Sequence, residues 1–263
     1  MEHAVRPPAV AGAFYPADPT RLRAEVAALL AAAAPPAAPP PAAIIVPHAG
    51  YAYSGPVAAT AYALAARTRP DLRRVIMVGP SHFARFDGLA LPGTRALATP
   101  LGEVPVDGEA ETRARRHPGV GVSPAAHARE HSLEVQLPFL QVALAGPAVV
   151  ALLCGQGGPE QAAPVVEEFL GEEGTLVLIS SDLSHYLSSA QARRRDEATA
   201  DAIERLDPGD LHPDDACGLV GVQALLLAAR RRGLAATRLD LRNSGDTAGD
   251  RDRVVGYGAF SFG

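Results

Sequence analysis

The sequence contains no lysine, because all 24 residues counted as lysine or arginine are arginine. Schiff-base catalysis, covalent attachment of pyridoxal phosphate and a P-loop phosphate site each require a lysine and are therefore excluded. Cysteine is almost as scarce: Cys154 and Cys217 are far apart and form no C-x-x-C motif. A disulfide framework is not expected, and this cysteine usage predicts a protein of the reducing cytoplasm.

An excess of positive charge is also missing. The formal net charge is −5 and the sequence pI is near 5.9, whereas nucleic acids and anionic membranes are bound by basic surfaces. No apolar run approaches the roughly 20 residues of a membrane span. The N-terminus has no basic region followed by an apolar core, so no signal peptide is expected. We predict neither a nucleic-acid partner nor a membrane partner.

Short apolar runs alternate with helical stretches along the chain. The predicted strands are 42–46, 73–79, 148–154, 174–181, 236–242 and 254–262. The predicted helices are 20–33, 55–67, 108–116, 131–144, 159–171, 189–206 and 213–232. Strand–helix–strand order implies βαβ units with parallel strands. The predicted fold class is therefore α/β, a three-layer α/β/α sandwich around a mostly parallel sheet.

The chain is long enough, at 263 residues with 48% hydrophobic content, to bury a substantial core. We predict a single domain over residues 1–263. Residues 1–19 are expected to form an extended N-terminal arm. The proline-rich stretch 34–41 is expected to be a stiff connector within the domain.

Polar residues follow four of the predicted strands within a few positions. They are His48; Ser81 and His82; Asp182, Ser184 and His185; and Asn243, Ser244, Asp246 and Thr247. In open parallel α/β sheets the ligand crevice lies beyond the carboxyl ends of the strands, so parallel neighbours bring such residues together. Three histidines and two aspartates in one crevice have the composition of a metal site. Two histidines with a carboxylate suit non-haem Fe(II).

Each histidine also has a structural interpretation. His48 and His82 could be hydrogen-bonded core residues, and His185 could cap the helix that follows it. The other histidines are predicted to be ordinary surface residues: His3, His117, His127 and His212.

The segment "REHSLEV" adds Glu130, His131 and Glu134 at the start of a predicted helix. Residues three apart on a helix share a face, so His131 and Glu134 are neighbours. One interpretation is a wall or outer shell of the pocket, with a carboxylate orienting a ligand histidine. The other is a helix N-terminus whose acidic residues complement the helix dipole.

Other motifs give little support to other chemistries. The chain has no G-x-S-x-G elbow, no H-E-x-x-H and no G-x-G-x-x-G. Cys154 ends a strand and is predicted to be a core thiol. Cys217 begins a predicted helix, whose N-terminus could lower its pKa, but packing is the default prediction.

Seven segments occur in a defined order: "RPPAVAGAFYP", "VPHAGYAYSG", "GPSHF", "EHSLEVQLPFL", "ISSDLSHY", "ACG" and "NSGDTAGD" with "VVGYGAF". Together they resemble the Memo family, called AmmeMemoRadiSam system protein B in bacteria and archaea. The resemblance runs from about Arg6 to Phe260. The fold of that family is similar to that of class III extradiol dioxygenases, whose members bind Fe(II) with two histidines and a carboxylate. It implies an α/β/α domain with a metal pocket.

The resemblance implies that His48 and His82 are metal ligands, and it places Asp182 and His185 at further pocket positions, where we expect catalytic roles. Aligned through "VVGYGAF", the cysteine ligand of animal members falls on Thr247, a poor ligand. The candidates to complete the metal site are His185, Asp246, Glu130 and Glu134. The expected wall or outer-shell residues are Tyr51, Ser81, Glu130, His131, Glu134 and Thr247. The implied cofactor is a divalent metal, with Fe(II) favoured and Cu or Zn as alternatives.

Three functions stay open on the sequence alone. The first is a metal-dependent, dioxygenase-like oxidoreductase in which His185 acts as acid or base. The second is a non-catalytic binding or adaptor protein, because fold does not fix function. Its pocket would hold a small molecule, a peptide, or the radical-SAM and companion proteins associated with bacterial relatives. The third is a metal hydrolase that uses a Zn-bound water.

Overall fold

The computed structural model describes residues 4–263. Its helices are α1 (Pro19–Ala32), α2 (Tyr51–Thr68), α3 (Gly108–Ala114), α4 (Pro124–His127), α5 (Leu137–Ala143), α6 (Pro159–Phe169), α7 (Ser189–Glu204) and α8 (Leu219–Arg232). Its strands are β1 (Val5–Arg6), β2 (Ala43–Val46), β3 (Arg74–Pro80), β4 (Leu89–Leu91), β5 (Ala96–Thr99), β6 (Gly102–Pro105), β7 (Val120–Val122), β8 (Ala148–Cys154), β9 (Thr175–Ser180), β10 (His185–Leu187), β11 (Ala236–Asn243) and β12 (Val254–Phe262). Short 3₁₀ turns lie at Glu134–Gln136, Pro208–Asp210 and Ser244–Asp246.

A mixed sheet of nine strands forms the centre of the fold. Its order is β10-β12-β2-β9-β3-β8-β4-β7, and β11 pairs with β12. The central strands β2, β9, β3 and β8 are parallel, whereas β12 is antiparallel to β2 and β4 is antiparallel to β8. A second sheet has the order β1-β5-β6. The predicted α/β class with a mostly parallel sheet is confirmed.

Helices flank the central sheet because its inner strands are apolar on both sides. Every residue of β2 and β9 is buried, which is typical of parallel strands covered on both faces. Ile44 and Val46 join an apolar cluster with residues of α1, α2 and α5. Ala43 and Ile45 join a second cluster with residues of α6, α7 and α8. Within residues 4–263, no helix combines the length and apolar character needed to cross a bilayer.

Three helices begin four or more residues away from the predicted start. α2 begins at Tyr51 instead of residue 55, since Pro56 removes only one backbone hydrogen bond from this helix. α8 begins at Leu219 instead of residue 213, because the preceding turn approaches Ser181 through the Gly218 N–H. The predicted helix 131–144 is a 3₁₀ turn followed by α5, with a proline in the first turn of α5.

α3 carries a buried carboxyl oxygen, Glu111 Oε1, that has no hydrogen-bond partner in the described part of the chain. Burial raises the pKa of Glu111 to about 7, opposed by Arg115 and assisted by Asp107. The Glu111 carboxyl therefore binds its proton more tightly in the folded state than in the unfolded chain, where its pKa is near 4.5. Stability should fall as the pH rises from 4.5 through 7, because the carboxylate is then buried as an anion.

Glu111→Gln is expected to stabilise the protein at pH 8 by about 1 to 2 kcal/mol, a figure reduced for the partial exposure of the group. Little gain is expected near pH 4.5, where the folded carboxyl is already neutral. Urea unfolding at both pH values measures the difference. The control is Glu109→Gln on the exposed face of the same helix, which should bring no gain at pH 8. An equal gain in stability from Glu111→Gln at both pH values would contradict the raised pKa of Glu111.

Candidate metal centre

The candidate site lies at the carboxyl ends of three adjacent parallel strands. β9 is hydrogen-bonded between β2 and β3, so the segments after these strands emerge side by side. His48 follows β2, His82 follows β3 and Asp182 follows β9, each by two residues. These three residues therefore occupy the crevice position of an open α/β sheet.

Three histidines converge at this edge. One ring nitrogen from each of His48, His82 and His131 lies within 4.8 Å of the others. The ring centroids are 4.7 Å apart for His82 and His131, 5.3 Å for His48 and His82, and 5.5 Å for His48 and His131. The cluster contains the two histidines expected as ligands and adds His131, which was expected in the wall or outer shell.

The hydrogen bond at His48 Nδ1 decides which nitrogen of this ring can bind a cation. Ser180 Oγ donates its proton to Ser132 O at 2.6 Å and accepts one from Gln136 Nε2 at 2.9 Å. Its remaining lone pair faces His48 Nδ1 at 2.9 Å, so this network assigns the imidazole proton to Nδ1. The ring lone pair is then on Nε2, as a metal ligand requires.

A single buried carboxylate contacts both of the other histidines. Glu130 Oε1 lies 2.9 Å from His82 Nδ1 and 3.3 Å from His131 Nδ1. Its oxygens also accept the backbone N–H groups of His82 at 2.6 Å and of His131 and Ser132 at 2.9 Å. Burial opposes ionisation of Glu130, but the hydrogen bonds, led by that from His82, hold its pKa at about 2. A carboxylate on Nδ1 fixes the ring and leaves Nε2 for a metal.

Cys217 lies against this cluster. Its Sγ is 3.2 Å from His48 Nε2 and accepts the backbone N–H of Asp182 at 3.3 Å. Burial raises the pKa of the thiol, and a coordinated cation reverses that effect because metals bind the thiolate. Gly218 permits this position, since a Cβ atom there would lie 2.7 Å from Ser180 O.

Sequence reasoning missed the contact of Cys217 with the site. Packing was its default prediction, and Thr247 was aligned with the cysteine ligand of animal relatives. In the structure, the Thr247 hydroxyl donates to Ser244 O at 3.1 Å. Cys154 is buried in the second apolar cluster, as predicted. The sequence signal for Cys217 was the "ACG" segment, in which a glycine that allows close approach directly follows the cysteine.

The donor groups fit a transition metal. Burial is the main reason that the pKa of His48 is about 3 and that of His131 about 4, and neighbouring histidines lower both values further. Both rings are therefore neutral at pH 7, the form that binds metal ions. Imidazoles beside a thiol make a donor set that suits Fe, Cu or Zn. The residues present thus fit the kind of metal that the family resemblance implies.

Asp182 and His185 border the cluster without joining the group of three histidines. Asp182 Oδ1 accepts the backbone N–H of His48 at 2.7 Å, and burial raises the pKa of Asp182 above its ordinary value. His185 begins β10, and its ring, when protonated, lowers the pKa of Asp182 and that of His48. Tyr186 follows with a φ of 61° where the pairing of β10 is irregular. Such strained backbone is typical of functional sites.

The structure does not bring Asp246 into the histidine group. Asp246 forms an ion pair with Arg193 and accepts the backbone N–H of Asn243 at 3.1 Å. β12 lies between β11 and β2, so the residues after β11 are not neighbours of the residues after β2. The insertion of an antiparallel strand is the physical reason for this separation.

The remaining expected wall residues have hydrogen-bond partners of their own. The hydroxyl of Tyr51 donates to Val135 O at 2.7 Å, and that of Ser81 donates to Ala84 O at 2.9 Å. The carboxylate of Glu134 is bound by the N-terminal arm, and its side chain is fully buried. All three side chains therefore support the structure around the site.

The other histidines differ in their surroundings. The surface prediction was wrong for His127, which is buried and bonds a backbone carbonyl of β4 at 2.8 Å. His117 is half-buried and lies 2.5 Å from a carboxylate oxygen of Glu168. His212 is exposed, as predicted. His3 lies outside the described residues.

Comparisons with known proteins show which family the chain belongs to. The family model described as "Memo-like protein" matches residues 6–261. A MEMO1 family protein of Aquifex aeolicus is 36% identical, and the match covers 96% of this chain and 97% of that protein. A MEMO1 family protein of Archaeoglobus fulgidus is also 36% identical, with coverage of 98% and 99%.

A solved structure supports the fold. The uncharacterized protein JW3007 from Escherichia coli K12 is 12% identical and matches with a TM-score of 0.54. The match covers 82% of this chain and 98% of that chain, and at this identity it speaks for the fold alone. From the family model and the near-full-length relatives, the chain belongs to the Memo-like protein family.

Proposed function

We propose that this protein is a metal-dependent redox protein whose metal is held by His48, His82 and His131, with the Cys217 thiolate as a further ligand. The observation that carries the proposal is the convergence of the three imidazoles at the carboxyl edge of the sheet, with the Cys217 sulfur 3.2 Å from one of them, at His48 Nε2. Imidazole and thiolate donors favour Fe, Cu and Zn over Mg and Ca. Fe(II) is the first candidate, and Cu and Zn are the alternatives.

When bound, such a metal supplies Lewis acidity and, for Fe or Cu, one-electron chemistry. The protein groups around it have separate roles. Ser180 orients the ring of His48, and Glu130 orients that of His82, in each case through the Nδ1 atom of the histidine. Asp182, whose pKa is raised by burial, keeps its carboxyl proton to a higher pH than an exposed aspartate. With His185 beside it, this carboxyl can hold and pass a proton at the edge of the site.

The fold is consistent with this role. Helices on both faces of the sheet support a three-layer arrangement like that of class III extradiol dioxygenases. In that arrangement the site lies beyond the carboxyl ends of parallel strands, where the three histidines of this chain converge. The resemblance favours a redox reaction of a small organic substrate.

Cobalt loading tests the ligand set. Protein purified without oxygen or chelator should carry Fe, Cu or Zn, and the Co(II) form should show a sulfur-to-cobalt charge-transfer absorption. Cys217→Ser should abolish that absorption because it removes the sulfur that contacts His48. Cys154→Ser, which changes the buried thiol of β8, should leave it intact. A charge-transfer absorption that survives Cys217→Ser argues against the thiolate ligand, and protein that takes up no metal argues against the whole proposal.

A binding role is the second candidate, and two exposed aromatic rings favour it. Phe83 is 54% exposed and Tyr186 is 64% exposed. Their ring centroids lie 6.0 Å from that of His131 and 5.6 Å from that of His185, respectively. Exposed aromatic rings are typical of surfaces that bind ligands or partners.

The partner in this second candidate is a peptide, or the radical-SAM and companion proteins of the same bacterial system. Co-purification that is lost on Phe83→Ala while metal content is retained would favour the binding role. Oxygen uptake by Fe(II)-loaded protein in a screen of small organic substrates would favour the redox role.

A further inference from the structure

The N-terminal residues 6–15, here called the strap, lie across the segment 127–135 that carries Glu130 and His131. The strap precedes α1, and apart from one isolated bridge between Ala11 and Tyr15 and the end of β1 it has no strand pairing. Its order therefore depends on a few backbone hydrogen bonds of its turns and on side-chain contacts. Those contacts are concentrated on the segment that brings the carboxylate and one imidazole to the metal site.

Arg6 holds segment 127–135 at three points. Its side chain is 7% exposed, and Nε donates to His127 O at 2.8 Å while one terminal nitrogen donates to Glu130 O at 2.5 Å. The other terminal nitrogen donates to Glu134 Oε2 at 2.5 Å. A planar guanidinium presents its donors in a rigid fork, so these three bonds fix the shape of the segment as well as its position.

Glu134 also accepts hydrogen bonds from other residues of the strap. Its carboxylate accepts the backbone N–H groups of Ala9 at 2.7 Å and Val10 at 2.9 Å, and the hydroxyl of Tyr15 at 2.6 Å. With Arg6, both carboxylate oxygens are therefore hydrogen-bonded within a fully buried side chain. A buried pair of this kind is weak evidence for stability, but its geometry is specific.

Phe14 connects the strap to the histidines themselves. Its ring centroid lies 4.7 Å from that of His131. Its backbone carbonyl accepts the N–H of Tyr51 at 2.8 Å, at the start of α2 and three residues after His48. The strap thus contacts two segments that are separate in sequence and that each supply an imidazole.

We propose that Arg6 and Glu134 are positioning residues of the metal centre, because they fix the segment from which Glu130 and His131 reach the site. This inference rests on the proposed metal-binding function. Loss of Arg6 removes the donor to the backbone oxygen of Glu130 and one hydrogen-bond partner of Glu134. Glu130, whose carboxylate orients His82, is then no longer held in position by Arg6. Outer-shell changes of this kind lower metal affinity about 10- to 100-fold.

The test is Co(II) affinity, measured by competition with a chelator on protein shown by circular dichroism to be folded. Arg6→Ala should lower the affinity about 10- to 100-fold and alter the visible Co(II) spectrum, which reports the ligand geometry. Arg6→Lys, which keeps the charge but lacks the fork, should recover only part of the affinity. If Arg6→Ala does not fold, Arg6→Lys and Phe14→Leu carry the test, and each should still lower the affinity.

The matched control is Arg74→Ala. Arg74 is also a largely buried arginine held by two carboxylates, those of Asp107 and Glu172, at the opposite end of β3 from His82. Arg74→Ala should lower the free energy of unfolding but leave the Co(II) affinity and the Co(II) spectrum unchanged. If the folded Arg6 and Phe14 variants keep the wild-type Co(II) affinity and spectrum, the inference is overturned but the proposed function is not. Absence of Co(II) binding by the wild-type protein would overturn the proposed function, and the inference with it.

Discussion

His48→Ala is expected to lower the affinity of the protein for Co(II) by more than about 100-fold, since loss of a ligand should exceed the loss caused by outer-shell changes. His48 is the most constrained of the three histidines. It is 2% exposed, its ring proton is assigned to Nδ1 by Ser180, and its Nε2 atom faces the Cys217 sulfur. No other imidazole in the cluster contacts that sulfur. His48→Ala therefore removes both a ligand and the ring that links the thiol to His82 and His131.

The affinity of the His48→Ala protein is measured by chelator competition and by metal content after gel filtration. His212→Ala is the control, because His212 is an exposed histidine outside the cluster and should bind Co(II) as the wild type does. A His48→Ala protein that retains the wild-type affinity would show that any bound metal lies elsewhere in the chain.

Gly88→Ala is expected to destabilise the protein by about 4 kcal/mol or more, which is at the extreme of single substitutions. Gly88 has a φ of 78°, and a Cβ atom there would lie 2.2 Å from the backbone oxygen of Gly119. That oxygen accepts the N–H of Leu89 at 2.9 Å, and the Gly88 carbonyl accepts the N–H of Gly155 at 2.8 Å. The clash is between the new Cβ atom and a backbone oxygen at the end of the loop that bears His82, so no flexible side chain can move to relieve it.

Gly171→Ala isolates the steric part of this effect. Gly171 has a φ of 82°, almost the same as that of Gly88, but a Cβ atom there meets nothing within 4 Å. Its substitution should cost only the roughly 1 to 2 kcal/mol of a left-handed backbone. Urea unfolding of both variants gives the comparison, and equal losses of stability would show that the approach of Gly88 to Gly119 carries no cost.

Much of the fold could be predicted because its signals are local. The apolar runs of β2, β3, β8 and β9 identify buried strands, and the helical stretches between them imply parallel pairing. His48 and His82 could be placed at the crevice for the same reason, since each follows its strand by two residues. The beginnings of helices were less predictable, because tertiary contacts such as that of Gly218 with Ser181 decide them.

Strand order was not available from the sequence, and it decided which residues meet. Asp246 also follows a strand, yet β12 separates that strand from β2, and Asp246 pairs with Arg193 instead. Cys217 shows the opposite case. It follows no strand and is 169 residues from His48 in the chain, but the turn before α8 places its sulfur on the His48 ring.

The sequence by itself determined the family, the α/β class and two of the three clustered histidines, because these depend on motifs and on the local alternation of apolar and polar residues. The tertiary structure alone moved His131 from the expected wall or outer shell into the group with His48 and His82. It also brought Cys217 to the site and bound Glu134 to the strap instead of to the histidines. The physical reason is that ligand geometry depends on contacts between segments far apart in the chain, such as His82 with Glu130, 48 residues away, and His48 with Cys217, 169 residues away. Local pattern carries no information about such contacts.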